Sequence, residues 1–522
     1  MNPLYPRRYP VGIQTFSEIK KLNCVYVDKT ALVYRMAHEA GKSYFLSRPR
    51  RFGKSVLIST FEAYFQGRKE LFQGLAIEQL EQEWPVHPVL RLSLSQTRYS
   101  SLDDLRALLL NHLRQWEKLY GPPEEDESFA MRFFNLIKRA YEQTGKEVVV
   151  LIDEYDSPLL GSGNAPELQE QLRNMIRTFY SPLKDADPYL RFVFITGITK
   201  FSQMSIFSEL NNLNNISMDA DYDTICGISE EELHTQMAPD ISMLAKALNN
   251  SEEAMKAELK QRYDGYHFSE AMTDIYNPFS LLLAFTKRKL DSYWYSTGTP
   301  TFLLDLMKKE KLNIPDLEGI KASSFDFDRA TDTITNVIPV LYQSGYLTIK
   351  KYNRVLDVFT LGYPNEEVRM GFLRCLMPDY VETDTLRGNF LVTSFVEELM
   401  EQDIEACMVR LQTFFATIPN TLQNKTEKHF QTALYILFSL MGQYVEAEVN
   451  TSMGRIDMVL QLTDAIYIFE FKVDKSAQVA MEQIAERNYA QRYQLDERAL
   501  YQIGANISTQ TRTLDEWTIV KR

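Results

Sequence analysis

The sequence has few cysteines and no metal-binding pattern of cysteine or histidine. Its 522 residues include four cysteines without C-x-x-C spacing or a flanking histidine pair: Cys24, Cys226, Cys375 and Cys407. This scatter predicts neither a disulfide scaffold nor a structural zinc site. We therefore expect a reducing compartment, the cytoplasm.

A long apolar run is also missing. The longest apolar patch, around residues 433–441, is far shorter than the ~20 residues that a membrane-spanning helix needs. Residues 1–8 hold no apolar segment of the kind that a secretory signal carries. The sequence therefore predicts no membrane partner.

Positive charge is in deficit over the chain as a whole, which has a formal net charge of -13 at pH 7. The deficit argues against a protein that coats nucleic acid without specificity. It is uneven, however, because residues 1–60 hold eleven Lys or Arg against three Asp or Glu. Such a local excess suits a polyphosphate or a nucleic-acid backbone.

Apolar residues are plentiful, at 45% of the chain, which is ample for well-packed cores. A chain of this length is expected to form about three domains. Through roughly the first 200 residues, predicted strands alternate with predicted helices, which indicates a parallel sheet with crossovers and a ligand at the carboxyl ends of the strands.

A predicted strand-to-helix turn at residues 47–55 has the sequence S-R-P-R-R-F-G-K-S. In a phosphate loop, backbone N–H groups surround a phosphate, a lysine reaches the β- and γ-phosphate oxygens, and a hydroxyl ligates Mg²⁺. Gly53, Lys54 and Ser55 fit these roles. Arg48 stands where the motif normally has glycine, so the pattern taken alone equally fits a basic surface turn.

A second signal favours the phosphate loop. The aliphatic run at residues 148–152 predicts a strand buried on both faces, and it ends in Asp153 and Glu154. In a phosphate-loop enzyme the first acid holds Mg²⁺ through water and the second polarises the attacking water. The alternative is a buried strand that merely ends in solvated acids, which is less common when both motifs occur in this order.

Two further features could belong to the same site. A predicted strand at residues 191–197 ends near Thr196, Thr199 and Lys200, and either threonine could sense a γ-phosphate. Polar residues also collect at strand ends in general, so both interpretations stay open. Phe16 and Tyr26 could form apolar walls for adenine, although each one alone is more often a core aromatic.

Asp457, Glu470 and Lys472 form a second constellation near the end of the sequence. Glu470 and Lys472 are two residues apart on a predicted strand, so they project from one face, and Asp457 precedes them across a short turn. Metal-assisted phosphodiester hydrolysis requires carboxylate oxygens that hold Mg²⁺ and a cation that orients water. The alternative is a network of surface salt bridges on a small sheet.

The N-terminal motifs resemble those of the AAA-ATPase-like family of bacterial proteins. The match comprises Y-V-D-K-T at 26–30, the loop at 48–55, D-E-Y-D at 153–156, T-G-I at 196–198, Y-D-G-Y at 263–266 and Y-N-P-F-S at 276–280. The loop in that family often begins R-P-R-R, so Arg48 looks like a family trait. The resemblance implies ATP and Mg²⁺ as cofactors, a catalytic role for Glu154, and Ser55 and Asp153 as metal ligands. It also implies that the nucleotide is bound by Arg51, Phe52, Gly53, Lys54, Ser55, Asp153 and Thr196.

The C-terminal constellation resembles the PD-(D/E)xK nuclease superfamily, because D-x₁₂-E-x-K lies within a predicted order of helix, three strands, helix and strand. Asp457, Glu470 and Lys472 stand at the signature positions, and Ile456 replaces the proline of the family name. The resemblance implies three metal ligands, Glu427 of the first helix, Asp457 and Glu470, with Glu448 as a further candidate and Gln483 and Tyr489 on the later helix.

We therefore predict a multidomain α/β protein. Its expected parts are an AAA-ATPase-like core with a P-loop NTPase parallel sheet (1–221), a helical lid (222–299), a winged-helix-like segment (300–370), a helical linker (371–420) and a restriction-endonuclease-like αβββαβ domain of the PD-(D/E)xK type (421–522). The winged segment could contact DNA, although its few basic residues favour a structural role.

The predicted function is an ATPase coupled to a Mg²⁺-dependent nuclease that acts on nucleic acid, on DNA rather than RNA. A homo-oligomer is a further expectation, because ATPases of this class often complete their site with an arginine from a neighbour. The alternative is a nucleotide-dependent switch or interaction protein whose nuclease-like domain is inactive.

Overall fold

A computed structural model of the chain describes residues 7–95, 99–124, 127–162, 165–199, 213–294, 307, 314–328, 337–381, 385–417, 427–442, 446–452 and 455–522. It describes the backbone alone for residues 325, 328, 378–381, 385–390, 417, 427–429, 431, 446–452, 455–457 and 489. The chain divides into two compact units. The first comprises Met1–Glu310 and Gly319–Glu367, and the second comprises Lys311–Glu318 and Val368–Arg522.

A parallel five-stranded sheet forms the centre of the first unit. Its spatial order is β2 (Val89–Ser93), β3 (Val148–Asp153), β4 (Leu190–Gly197), β1 (Ser43–Ser47) and β5 (Asn214–Asn215). β1 and β3 are buried at every position, as their continuous apolar runs predict. β1, β4 and β3 are adjacent and parallel, so their carboxyl ends lie together at one edge of the sheet.

Helices connect these strands in the alternating order that the sequence predicts. They are α1 (Phe16–Lys21), α2 (Thr30–His38), α3 (Lys54–Phe65), α4 (Ile77–Leu80), α5 (Leu102–Tyr120), α6 (Phe129–Thr144), α7 (Ser157–Gly161), α8 (Pro166–Tyr180) and α9 (Pro182–Asp185). Apolar residues of β3, α5, α6 and α8 form a common core with the buried face of β2.

The part that follows the sheet is mostly helical. It contains α10 (Glu230–Gln236), α11 (Ala238–Ala247), α12 (Glu252–Tyr263) and α13 (Pro278–Lys287), together with the short antiparallel pair β6 (Ile228–Ser229) and β7 (Ile275–Tyr276). Ser229 and Glu232 form a capping box at the start of α10. These helices share a separate apolar core.

The first unit ends in a small antiparallel sheet. Its spatial order is β8 (Ile320–Ser323), β10 (Val358–Gly362) and β9 (Thr348–Asn353), and two short helices precede the hairpin, α14 (Ser324–Asp328) and α15 (Val337–Gln343). The chain therefore runs as helix, strand, turn and strand through α15, β9 and β10.

A mixed five-stranded sheet and several helices form the second unit. The helices are α16 (Glu366–Val381), whose first two residues belong to the first unit, and α17 (Thr385–Met400), α18 (Ile404–Thr417), α19 (Glu427–Met441) and α20 (Ala477–Glu486). The strands follow one another across the sheet as β11 (Glu446–Ser452), β12 (Arg455–Gln461), β13 (Ala465–Val473), β14 (Ala499–Ser508) and β15 (Thr513–Lys521).

The predicted αβββαβ order is present in this unit. After α19, β11 to β13 run antiparallel, and α20 leads to β14, which pairs parallel with β13. The predicted α/β class, with a parallel-sheet core and a separate C-terminal sheet, is confirmed. Within the described part of the chain, no helix combines the length and the apolar composition that crossing a membrane requires.

Candidate functional site

The predicted phosphate loop joins β1 to α3. Gly53 is the residue before α3 and has φ 94°, and Arg51 has φ 66°. Positive φ, which favours glycine, is therefore needed at positions 51 and 53. Arg48 is not among the residues with positive φ, so the backbone at this position does not require glycine.

A cavity of about 550 Å³ opens beside this loop, within the size range of small-molecule sites. Its walls come from the loop itself, from residues 10–14 and 25–27 near the start of the chain, and from residues 225–228. Tyr26 lines the cavity as the adenine hypothesis requires. Phe16 does not, because it lies fully buried against Tyr26 and Phe72 in the core.

Lys54 lies buried at the wall of this cavity. Its Nζ donates hydrogen bonds to the backbone oxygens of Arg48, at 2.9 Å, and Pro49, at 3.0 Å. An ammonium has three protons, so these two carbonyls leave one for a phosphate oxygen. Burial lowers the pKa of Lys54, and the nearby carboxylates of Glu154, Asp153 and Asp156 oppose that shift.

Arg48 is buried on the other side of the loop, with 1% of its surface exposed. Its guanidinium donates to the backbone oxygens of Ser47, Ser217 and Tyr222, at 3.0, 2.7 and 3.2 Å, and lies 4.0 Å from the centre of the Phe268 ring. Arg48 is absent from the described residues that line the cavity. The Arg48 side chain, which stands where the motif has glycine, therefore supports the loop without entering the cavity.

Of the two predicted acids, Glu154 lies at the cavity wall and Asp153 lies beneath it. Glu154 lines the cavity, and burial raises the pKa of its carboxyl although Lys54 opposes the shift. Asp153 is buried and accepts a hydrogen bond from Thr196 Oγ1 at 2.9 Å. Neither Asp153 nor Thr196 is among the described residues that line the cavity.

The remaining predicted nucleotide-binding residues all line the cavity. They are Arg51, Phe52, Gly53 and Ser55. The guanidinium carbon of Arg51 lies 3.8 Å from the centre of the Phe279 ring, a cation–π contact that fixes one rim of the opening. Lys200, which follows Thr199 at the end of the predicted strand, lies outside the described residues.

Asp156 also lines the cavity and is not among the predicted site residues. The signal was available, because Asp156 closes the D-E-Y-D motif that begins at Asp153. Nothing local to that motif shows which of its acids reaches a cavity. That depends on how β3 and β4 pair.

The second constellation lies on β13. Glu470 is fully buried and Lys472 is 5% exposed, and Lys472 Nζ lies 3.0 Å from Glu470 Oε1. Lys472 also donates to the side-chain oxygen of Gln483 on α20. Behind them, Phe469 and Phe471 pack against Phe438 of α19, with ring centres 5.8 and 5.6 Å apart.

Asp457 occupies the β12 position directly opposite Glu470 on β13. Opposite residues of an antiparallel pair share a face, so this register places Asp457 and Glu470 on one face of the sheet. Glu427 is the first residue of α19. The side chains of Asp457, Glu427, Glu448 and Tyr489 lie outside those described, and among the described side chains no group of three or more His, Cys, Asp or Glu forms a metal cluster.

Comparisons with known proteins agree with both motif assignments. A family model described as a predicted AAA-ATPase matches residues 10–207, and the PD-(D/E)XK nuclease superfamily model matches residues 425–517. The chain is 34% identical over 526 residues to a protein of Azotobacter chroococcum mcd 1 named "Uncharacterized protein in vnfD 5'region", and the match covers 97% of this chain and 98% of that protein. The chain therefore belongs to the predicted AAA-ATPase family, with a PD-(D/E)XK nuclease superfamily domain in its C-terminal part.

Proposed function

We propose that this protein binds and hydrolyses ATP with Mg²⁺ in the cavity beside residues 48–55, and that its C-terminal domain cleaves nucleic acid in a Mg²⁺-dependent reaction, with DNA as the preferred substrate. One observation carries the first part: a buried lysine, Lys54, stands beside a helix N-terminus at the wall of a nucleotide-sized cavity. The two family matches support both parts.

At the nucleotide site, the first N–H groups of α3 and the Lys54 ammonium bind the phosphates. Ser55 on the cavity wall and Asp153 beneath it are the residues that would hold Mg²⁺, and the donor set fits, since hydroxyl and carboxylate oxygens are its usual ligands. Mg²⁺, when bound, neutralises charge on the phosphates. Glu154 orients the attacking water and accepts its proton, a role that its raised pKa suits.

At the nuclease site, Glu470 and Asp457, with Glu427 of α19, are the residues that would hold the divalent cation. The cation supplies a Lewis acid for the scissile phosphate. Lys472 places a positive charge beside Glu470, where it orients water and stabilises negative charge that develops on the phosphate. Gln483 holds the lysine in position through their hydrogen bond.

Nucleotide binding is tested with a fluorescent ATP analogue and a phosphate-release assay on the full chain. Removing the Lys54 ammonium in Lys54→Ala should weaken ATP binding by about a hundredfold, since a charge-assisted hydrogen bond contributes about 3 kcal/mol, and should abolish hydrolysis. The control is Lys184→Ala, which alters an exposed lysine and should leave both unchanged. A wild-type chain without ATP binding would disprove the nucleotide function.

Nuclease activity is tested on plasmid DNA, single-stranded DNA and single-stranded RNA with Mg²⁺. Lys472→Ala should lose at least about a hundredfold in cleavage rate, as expected when a cation that stabilises the transition state is removed. The control is Lys475→Ala, an exposed lysine three residues further on, which should cleave at the wild-type rate.

The same assay tests whether ATP controls cleavage. We propose that nucleotide binding gates the nuclease, because both sites occur in one chain. Cleavage by the wild type should then depend on ATP, and Lys54→Ala should not respond to it. Equal rates for the wild type with ATP, the wild type without ATP and Lys54→Ala would remove the coupling. ATP binding without any cleavage would favour a nucleotide-dependent switch.

A further inference from the structure

Within the described part of the chain, four cationic side chains line the cavity beside the phosphate loop: Lys29, Arg50, Arg51 and Lys54. Lys29 is paired with Glu232, because its Nζ donates to both carboxylate oxygens, at 2.6 and 2.5 Å. The guanidinium of Arg51 lies over the Phe279 ring. The ammonium of Lys54 is held by two backbone oxygens of the loop. Three of the four cations therefore have partners within the protein.

Arg50 differs from the other three because its charge has no close partner. Its side chain is exposed, and its guanidinium forms no hydrogen bond or ion pair with any other described residue. Its backbone, in contrast, is anchored. Trp294 Nε1 donates to the Arg50 oxygen at 3.2 Å, and Lys54 Nζ donates to the oxygen of the preceding residue, Pro49, at 3.0 Å. The loop thus presents an unpaired guanidinium on a fixed backbone at the cavity wall.

The electrostatics of Glu154 place Arg50 near the proposed site of hydrolysis. Burial raises the pKa of the Glu154 carboxyl, and the positive charges of Lys54 and Arg50 oppose that rise. Both cations therefore act on the acid that is proposed to accept a proton from the attacking water. A γ-phosphate that contacts Lys54 and meets this water is also within the electrostatic reach of Arg50.

The hydrolysis step needs a further positive charge. Water forms a bond to the γ-phosphorus and gives a proton to Glu154, while the bond from this phosphorus to the bridging oxygen breaks and ADP leaves with the electron pair. Negative charge is spread over the γ-phosphoryl oxygens in the transition state. A guanidinium offers a planar fork of N–H donors that matches two such oxygens. Arg50 is the unpaired side chain at this cavity with that chemistry.

We propose that Arg50 is a catalytic residue of ATP hydrolysis that acts in cis: its guanidinium binds the γ-phosphate of the nucleotide held by the same chain and stabilises the charge that develops there. The proposal rests on the proposed ATPase function. It assigns to the chain's own phosphate loop the arginine that was expected from a neighbouring subunit. Arg50 takes no part in proton transfer, because a guanidinium stays protonated throughout.

The first test separates catalysis from nucleotide binding in the full chain with Mg²⁺. Phosphate release measures kcat, and a fluorescent ADP analogue measures affinity. Arg50→Ala should lower kcat about a thousandfold, whereas ADP affinity should stay within about threefold of the wild type because ADP has no γ-phosphate. Arg50→Lys should recover little of the rate, since an ammonium lacks the planar fork. The control is Arg114→Ala, an exposed arginine of α5, which should hydrolyse ATP at the wild-type rate.

A transition-state analogue gives a readout that a merely structural role would not change. ADP with Mg²⁺ and aluminium fluoride resembles the transferring phosphoryl group and should bind the wild type much more tightly than ADP alone. This gain in affinity should fall about a hundredfold in Arg50→Ala. Preserved ADP affinity in the same variant shows that it is folded. An unchanged gain would overturn the catalytic role.

Two variants together test whether the arginine acts within one chain. Arg50→Ala and Lys54→Ala are co-expressed with different affinity tags, and any complex that contains both chains is isolated. An arginine donated by a neighbour would complete the site of the Arg50→Ala chain, whose Lys54 is intact, so ATP hydrolysis by the mixed complex would overturn action in cis. A mixed complex without hydrolysis, or the absence of any mixed complex, supports it.

The outcomes distinguish this inference from the function on which it rests. A wild type that hydrolyses ATP, with an equal kcat in Arg50→Ala, would overturn the inference alone. A fall in ADP affinity as large as the fall in kcat would make Arg50 a binding residue and would also overturn it. A wild type that hydrolyses no ATP would overturn the proposed ATPase function and, with it, this inference.

Discussion

At the scale of single residues, Arg48 decides how the departure from the usual phosphate-loop motif is interpreted. From the sequence, the loss of glycine weakens the motif. In the structure the guanidinium lies beneath the loop and binds three backbone oxygens, two of them in the segment 217–222. The residue is a structural support for the loop, which explains how an arginine can replace glycine without entering the cavity.

Restoring the usual glycine should therefore harm the protein. Arg48→Gly leaves the buried oxygens of Ser217 and Tyr222 without their donor and opens a void beneath the loop, so we expect a loss of about 3 kcal/mol or more in the free energy of unfolding. ATP affinity should not improve. Thermal unfolding and ATP titration measure both, with Arg354→Gly at an exposed position in the turn between β9 and β10 as the matched control. A glycine variant as stable as the wild type, with tighter ATP binding, would contradict this account.

At the scale of elements, the sequence predicts those whose signals are local. The bounds of α6 follow from local signals, because Ser128 caps its start and Gly145, with φ 65°, ends it. The sequence places Gln483 and Tyr489 on one helix, but α20 ends at Glu486, because Asn488 takes φ 55° and the chain continues as a 3₁₀ turn. β15 is missed because its partly exposed, mostly polar residues lack a strand pattern.

What the sequence cannot supply is the pairing of distant elements. Placing β4 between β1 and β3 requires the strand order, which no local pattern contains. Lys54 and Glu154 could be named as site residues because they belong to local motifs. Asp156 could not be recognised, because its place at the cavity depends on the strand order. In the C-terminal sheet the turn between β12 and β13 is short, so the alignment of Asp457 with Glu470 could be anticipated.

A buried acid in the first turn of α16, Glu367, is hydrogen-bonded to the chain that follows α13. Glu367 is 4% exposed, and its Oε1 accepts hydrogen bonds from the backbone N–H groups of Tyr293 and Trp294. Burial raises the pKa of this carboxyl to about 7. The folded protein therefore holds the proton more tightly than the unfolded chain, whose glutamate has its ordinary pKa.

This pKa difference predicts that stability falls as pH rises. The contribution of Glu367 is fully present below the ordinary pKa of glutamate, about 4.5, and is lost between there and about 7, a change of about 3 kcal/mol. Glu367→Gln cannot ionise and keeps one acceptor oxygen. The free energy of unfolding of this variant, taken relative to that of the wild type, should therefore be higher at pH 8 than at pH 5. Urea unfolding at the two pH values measures the difference, and an equal value at both would contradict the assignment.

At the scale of the whole molecule, the chain passes between the two compact units more than once. Residues 311–318 belong to the second unit although the chain on both sides of them belongs to the first. Within that stretch a 3₁₀ turn, Ile314–Leu317, buries both Ile314 and Leu317 and lies near α19. The unit that holds Glu470 and Lys472 thus depends on a segment far from it in sequence, so a fragment that starts at residue 368 lacks part of its own core.

That dependence can be measured by calorimetry of the full chain. Ile314→Ala removes a buried side chain from the second unit and should lower the temperature of its unfolding transition, by an amount corresponding to about 2–5 kcal/mol. ATP with Mg²⁺ should raise the temperature of the first unit's transition, by an amount corresponding to about 2.7 kcal/mol when the ATP concentration is a hundred times the Kd. This increase should be equal in the variant. Leu495→Ala, which trims a 99% exposed leucine of the second unit, is the control and should shift neither transition. If Ile314→Ala instead lowered the ATP-sensitive transition, residues 311–318 would stabilise the nucleotide-binding unit, and the assignment of this segment would be wrong.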